Sequence, residues 1–233
     1  MFAGDSTSSE STGHAWYDLA ATGFVASVNA QFHPPPAKQY PAAVTGVMAT
    51  VTGALASNAP LALPGAITVL DVGSGGTTVA NLQASIAGSM STNIPSVVFI
   101  AIGTNDVSNG TAPSTFRTSY DAVMASIVAF NPATQIACLS IYAQGEKWAA
   151  GPVWNNANDA AVDALNAQIQ GSCTAAGGLY VDTRAALLLW EVPNNPTQAQ
   201  NGFALLSDNI HLSSPAGKQE IGSVVLGVTQ VVP

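Results

Sequence analysis

The stretch Ser96-Val97-Val98-Phe99-Ile100-Ala101-Ile102-Gly103-Thr104-Asn105-Asp106 decides the fold class of this chain. Val97 to Ile102 is an unbroken apolar run rich in β-branched residues. A strand of that kind is buried on both faces, as in a parallel sheet covered by helices on each side. The run stops at a glycine and gives way to small polar residues. That places Asn105 and Asp106 just beyond a strand's carboxyl end, the edge where sites form in open parallel sheets.

Working outward, the same grammar repeats. Upstream, Ile67-Thr68-Val69-Leu70-Asp71-Val72 is a second β-branched run. Gly73-Ser74-Gly75-Gly76-Thr77-Thr78 follows it and opens a helical pattern with Val79, Leu82, Ile86 and Met90 on one face. Downstream, Ser114 can cap a helix carrying Phe116, Tyr120, Val123, Met124 and Ile127, which Asn131-Pro132 stops. Gln135 to Tyr142 reads as a strand. Asn158 or Asp159 starts a helix with Ala161, Val162, Leu165 and Ile169, and Leu179 to Asp182 reads as a short strand after Gly177-Gly178. Ser214-Pro215 opens a last helix with Ile221, Val224, Val225 and Val228 inward. Met1 to Ala3 is a short apolar lead into Gly4-Asp5-Ser6. Residues 25–64, with Pro34-Pro35-Pro36, are the least readable, although 44–56 suits a short helix. The alternation predicts one α/β domain over residues 1–233, with a mostly parallel sheet and helices on both faces.

Composition narrows the partners. The 233 residues carry 5 Lys and Arg against 13 Asp and Glu, a formal charge of −8, and only 8 % of residues are charged. So few cations leave no means of neutralising a nucleic acid backbone and no basic patch for anionic lipid. No apolar run approaches the roughly 20 residues that cross a bilayer, so no membrane insertion is expected. A small neutral substrate fits best. No signal peptide is visible, because Met1 sits almost on the serine motif. The low-charge, Ser/Thr/Asn-rich composition nevertheless leans towards an extracellular or periplasmic protein over a cytoplasmic one. Cys138 and Cys173 have no metal-ligand spacing. They read first as two packed thiols, with a disulfide between a strand and the end of the next helix as the alternative. No His/Asp/Glu cluster has metal spacing, so neither metal nor other cofactor is expected.

Four polar sets stand at predicted strand ends or before the last helix: Gly4-Asp5-Ser6, Gly73 to Thr78, Gly103 to Asp106, and Asp208-Asn209-Ile210-His211. Each has a task in acyl transfer. A serine hydroxyl needs a base to become a nucleophile, and His211 can take the proton of Ser6. Asp208 can orient the imidazole and stabilise its charged form. The tetrahedral intermediate carries a negative oxygen that needs preorganised donors. The N–H groups of Ser6 and Gly76 and the Asn105 amide are the candidates. Asp5 and Asp106 read as ties between loops, and His14 and His33 lie outside the four sets. The glycine-rich stretch fails as a dinucleotide motif because residue 78 is Thr. Gly-x-Ser-x-Gly is absent around Ser6, against a nucleophile elbow of the α/β-hydrolase kind.

In order, these four sets resemble the blocks of the SGNH/GDSL hydrolase family, over residues 2 to about 220. The resemblance implies a flavodoxin-like, three-layer α/β/α sandwich with a five-stranded parallel sheet in the order 2-1-3-4-5. It implies a serine esterase with Ser6 as nucleophile, Asp208 and His211 completing the triad, and Ser6, Gly76 and Asn105 forming the oxyanion hole. Thr7 stands where Leu or Ile is commoner, and Asp71 where the family often has Asn. The first strand should be central, yet only three residues precede Gly4. That strand is expected to be very short, or the natural chain to begin earlier.

The expected activity is hydrolysis of small acyl esters, an acetylesterase acting on an acylated carbohydrate or a small neutral ester. The alternatives are a lysophospholipase or thioesterase for longer chains, and a non-catalytic carbohydrate-binding module that kept the fold. Trp148, Trp154 and Trp190 lie in loops expected to border the pocket. They could stack on a sugar, line an acyl slot, or cover the core.

Overall fold

The computed structural model describes residues 1–4, 73–142, 158–185, 221 and 224. Within them the order is β1 (Phe2–Gly4), α1 (Val79–Asn93), β2 (Val97–Ala101), α2 (Thr104–Ser108), α3 (Pro113–Phe130), β3 (Gln135–Leu139), α4 (Asp159–Ala175) and β4 (Leu179–Val181). The four strands pair side by side as β1-β2-β3-β4, and every pair is parallel. This is the parallel α/β sheet expected from the alternating pattern. The predicted strand at 67–72 and the predicted helix at 44–56 lie outside the described residues.

Register explains why the apolar runs are continuous. Ala3 pairs with Ile100, Ile100 with Cys138, and Cys138 with Tyr180. With a side-chain period of two, Ala3, Val98, Ile100, Ile136 and Cys138 share one face. They are buried in one core with Val79, Leu82, Ile86 and Met90 of α1, Phe116, Tyr120, Val123 and Ile127 of α3, and Val162, Leu165, Ile169 and Cys173 of α4. Phe99, Ala137, Leu139 and Val181 point the other way and are buried too. On that side helical Ile221, itself buried, lines a small cavity together with Ala101 and Leu139. Both faces are therefore covered. Removing any of the large aliphatic side chains from such a core would cost about 2–5 kcal/mol.

β1 spans three residues of this chain, Phe2–Gly4. The Met1 amine donates to Val97 O at 2.7 Å, and Phe99 N–H donates to Met1 O at 2.8 Å. These bonds extend the pairing with β2 by one residue.

Three expectations are corrected. Helix α3 starts one residue before Ser114: Ala112 is the N-cap and Pro113 occupies the first position, where its fixed φ already suits the helix and its missing N–H costs nothing. The strand predicted to reach Tyr142 leaves its ladder after Leu139, because Ile141 takes its hydrogen bonds from a helix side chain, Asn166. The two cysteines are not separate thiols. Cys138 and Cys173 form a disulfide with Cα atoms 6.2 Å apart, fully buried, which staples the end of α4 to the penultimate residue of β3. Closing a loop across 35 positions stabilises the fold by about 4 kcal/mol on the chain-entropy account.

Candidate active site

The site is built on the carboxyl ends of the strands, beginning with β2. Gly103 sits at φ +127°, and a Cβ there would lie 2.6 Å from Ile141 Cδ1. Only glycine meets both constraints, and it lets the chain turn from β2 straight into α2. This short helix was not anticipated from the sequence. It carries Thr104 and Asp106 inward and leaves Asn105 half-buried.

Asn105 and Asp106 both grip the segment that starts α1. Asn105 Nδ2 donates to Thr77 O at 3.0 Å. Asp106 Oδ2 accepts the N–H of Val79, the first residue of α1, at 2.9 Å. The Asp106 side chain is buried, and desolvation holds its carboxyl above the ordinary range. Hydrogen bonds from the Val79 N–H, the Thr111 side chain and its own N–H oppose the shift. The expected role of Asp106 as a tie between loops is what the geometry shows.

The turn between those contacts is glycine-dependent. Thr77 N–H donates to Ser74 O at 3.3 Å, and Gly76 at the third position has φ +76°. That is the position of a type II turn that calls for glycine. Thr78 then caps α1, its hydroxyl accepting Asn81 N–H. Ser74 N–H donates to Gly4 O at 3.1 Å, which ties the turn to the end of β1. The end of β1, the Gly76 turn and Asn105 thus come together at one sheet edge through three hydrogen bonds. The Gly76 N–H has no acceptor among the described residues, and neither does the second proton of the Asn105 amide. Both are donors able to serve an anion at this edge.

The ends of β3 and β4 carry a second polar frame. Ser140 Oγ accepts Arg184 N–H at 2.9 Å, and Thr183 Oγ1 donates to Ser140 O at 2.6 Å. Asp182 caps the turn at 183–185 by accepting Ala185 N–H. The Arg184 guanidinium pairs with Asp159 and Asp163 at the start of α4. A cleft of about 320 Å³ runs between α4 and β4, but its Asp163, Asn166, Asp182 and Arg184 already serve this frame. A cavity of about 10 Å³ among Thr104, Ser140, Ile141, Thr183 and Ile221 has room for one water and none for an acyl chain. None of these frame residues was given a place in the site from the sequence. A polar residue on a buried helix face was the one available signal, at Asn166.

Of the predicted site residues, Gly76 and Asn105 lie in the described part, joined through Thr77. Ser6, Asp208, His211, Trp148, Trp154 and Trp190 lie outside the described residues. Among the described residues, no three His, Cys, Asp or Glu side chains gather as metal ligands, and no helix is long and apolar enough to cross a membrane.

Comparison with known proteins identifies the family and the fold. Residues 2–218 match the profile of the GDSL-like Lipase/Acylhydrolase family. No curated protein matches the chain in sequence. Among solved structures, an acetyl xylan esterase, AlAXEase, superposes with a TM-score of 0.60 at 18% identity, covering 98% of this chain and 99% of its own. The lipase/acylhydrolase from Enterococcus faecalis gives 0.60 at 14% identity, covering 98% and 94%. A catalytic mutant of an acetylxylan esterase from Geobacillus stearothermophilus gives 0.56 at 21%, covering 97% and 91%. At these identities the likeness is one of fold.

Proposed function

This chain belongs to the GDSL-like lipase/acylhydrolase family, and we propose that it is a serine esterase for small acyl groups, with Ser6 as nucleophile. The observation that carries the reading is the joining of Gly4, the Gly76 turn and Asn105 at one sheet edge. Gly4 stands two residues before Ser6 in sequence, and this spacing supports the assignment of the hydroxyl to the edge that holds two of its proposed oxyanion donors.

In this reading His211 removes the proton of Ser6 as Oγ attacks the ester carbonyl, and Asp208 stabilises the resulting imidazolium. The negative oxygen accepts from the N–H groups of Ser6 and Gly76 and from the Asn105 amide. Collapse expels the alcohol, which takes the proton from His211 and leaves an acyl-enzyme. Water, deprotonated by the same His211, then releases the carboxylic acid and restores Ser6.

An acetyl group on a carbohydrate is the proposed substrate class. The low charge suits a neutral polysaccharide ester, and two structural neighbours are acetylxylan esterases. Trp148, Trp154 and Trp190 are proposed to border the substrate. The buried disulfide supports an extracellular or periplasmic address, since such bonds persist in oxidising compartments. A series of p-nitrophenyl esters tests the acyl preference. Highest kcat/KM on the acetyl ester, falling steeply with length, is expected. A rise towards longer chains would replace this reading with a long-chain acylhydrolase.

A further inference from the structure

We propose that Asn166 is a positioning residue for ester hydrolysis, acting on Asn105 through Ile141 and Gly103. The inference rests on the reading of Asn105 as an oxyanion donor.

Asn166 is out of place by composition. It lies on the buried face of α4 with Val162, Leu165 and Ile169 and is 7% exposed. Asparagine is a weak helix former, and burying its amide is costly unless both ends are paired. Here both ends are paired, and with a single residue. Oδ1 accepts Ile141 N–H at 2.8 Å, and Nδ2 donates to Ile141 O at 2.9 Å. Ile141 lies two residues beyond the last ladder residue of β3 and is itself buried. The side chain supplies what a neighbouring strand no longer does.

The path continues from the Ile141 side chain. Its Cδ1 stands 2.6 Å from where a Cβ on Gly103 would be, so it lies directly on the Gly103 backbone. Gly103 O accepts Val107 N–H at 3.0 Å and begins α2, whose second residue is Asn105. Asn166 thus fixes the Ile141 main chain, Ile141 forms the floor under Gly103, and Gly103 sets the direction of the helix that aims Asn105. The reference point is firm, because α4 is held at its far end by Cys173 to Cys138 and at its start by Asp159 to Arg184. Oxyanion stabilisation depends on donor placement to fractions of an ångström, so loosening this floor lowers kcat without altering the groups that bind substrate.

A double-mutant cycle with Asn105→Ala on p-nitrophenyl acetate tests this. Asn166→Ala is expected to lower kcat about tenfold with KM within about twofold. In the Asn105→Ala background it should cost less than about twofold more, because the donor it positions is already gone. Asn166→Asp keeps the acceptor for Ile141 N–H and should fall between. Ile141→Val removes the Cδ1 over Gly103 and should show the same non-additivity, which carries the test if Asn166→Ala does not fold. Losses that multiply across the cycle, or folded Asn166 variants with undiminished kcat, overturn the proposal while leaving the oxyanion reading intact. Undiminished kcat in Asn105→Ala alone overturns both.

Discussion

Asn105 Nδ2 donates to the Thr77 carbonyl at 3.0 Å, across 28 positions of sequence. A primary amide has two protons. One is committed to holding the amide plane against the Gly76 turn, which leaves the other presented in a fixed direction. Asn105→Ala is therefore expected to lower kcat for ester hydrolysis by about 10²–10³ with little change in KM. Losing a single tether should cost about 1 kcal/mol of stability. Steady-state kinetics beside urea unfolding separates the two effects.

Asp106 should impose a pH dependence on stability. Its folded carboxyl holds a proton more tightly than the ordinary value of 3.8, because burial disfavours the charge. The folded state then binds more protons than the unfolded one. The contribution is fully present below the unfolded pKa and is lost as pH rises through the folded one. Asp106→Asn keeps an oxygen for Val79 N–H and removes the charge. Urea unfolding from pH 4 to pH 7 should show the variant gaining relative to the parent as pH rises. A difference that stays constant would contradict burial as the dominant effect.

Reducing the Cys138–Cys173 bond, or replacing both residues with alanine, should destabilise the protein by about 4 kcal/mol. For a chain of this size that is a fall in Tm on the order of 10 °C. Calorimetry with and without reductant under partly denaturing conditions is the measurement, since the bond is buried.

Two glycines should respond oppositely to alanine. Gly103→Ala meets Ile141 and forces a side chain to φ +127°, and should cost about 3 kcal/mol or more. Gly88, exposed within α1, has nothing near a new Cβ, so Gly88→Ala should stabilise by about 0.5–1 kcal/mol. Chemical denaturation of the two variants reads both signs.

The parallel sheet was legible because β2 and β3 are buried on both faces and so cannot hide their apolar runs. The position of Asn105 was legible because an apolar run that stops at glycine and small polar residues marks a strand's carboxyl end. The disulfide was not, since pairing depends on a Cα separation of 6.2 Å that only packing brings about. Nor was the start of α3, expected to be capped by Ser114, since Pro113 takes the first helical position, which its fixed φ already suits. The pairing of Asn166 was invisible for a different reason. Its partners are the main-chain groups of Ile141, and a main chain carries no mark in the sequence.

The central claim is that Ser6 is the nucleophile, and covalent labelling tests it most directly. The protein would be treated with a fluorophosphonate, digested, and mapped by mass spectrometry. The account predicts one phosphonyl adduct, on the peptide containing Ser6, with Ser6→Ala losing both the adduct and ester hydrolysis. An adduct on a different serine, with hydrolysis surviving in Ser6→Ala, would contradict it.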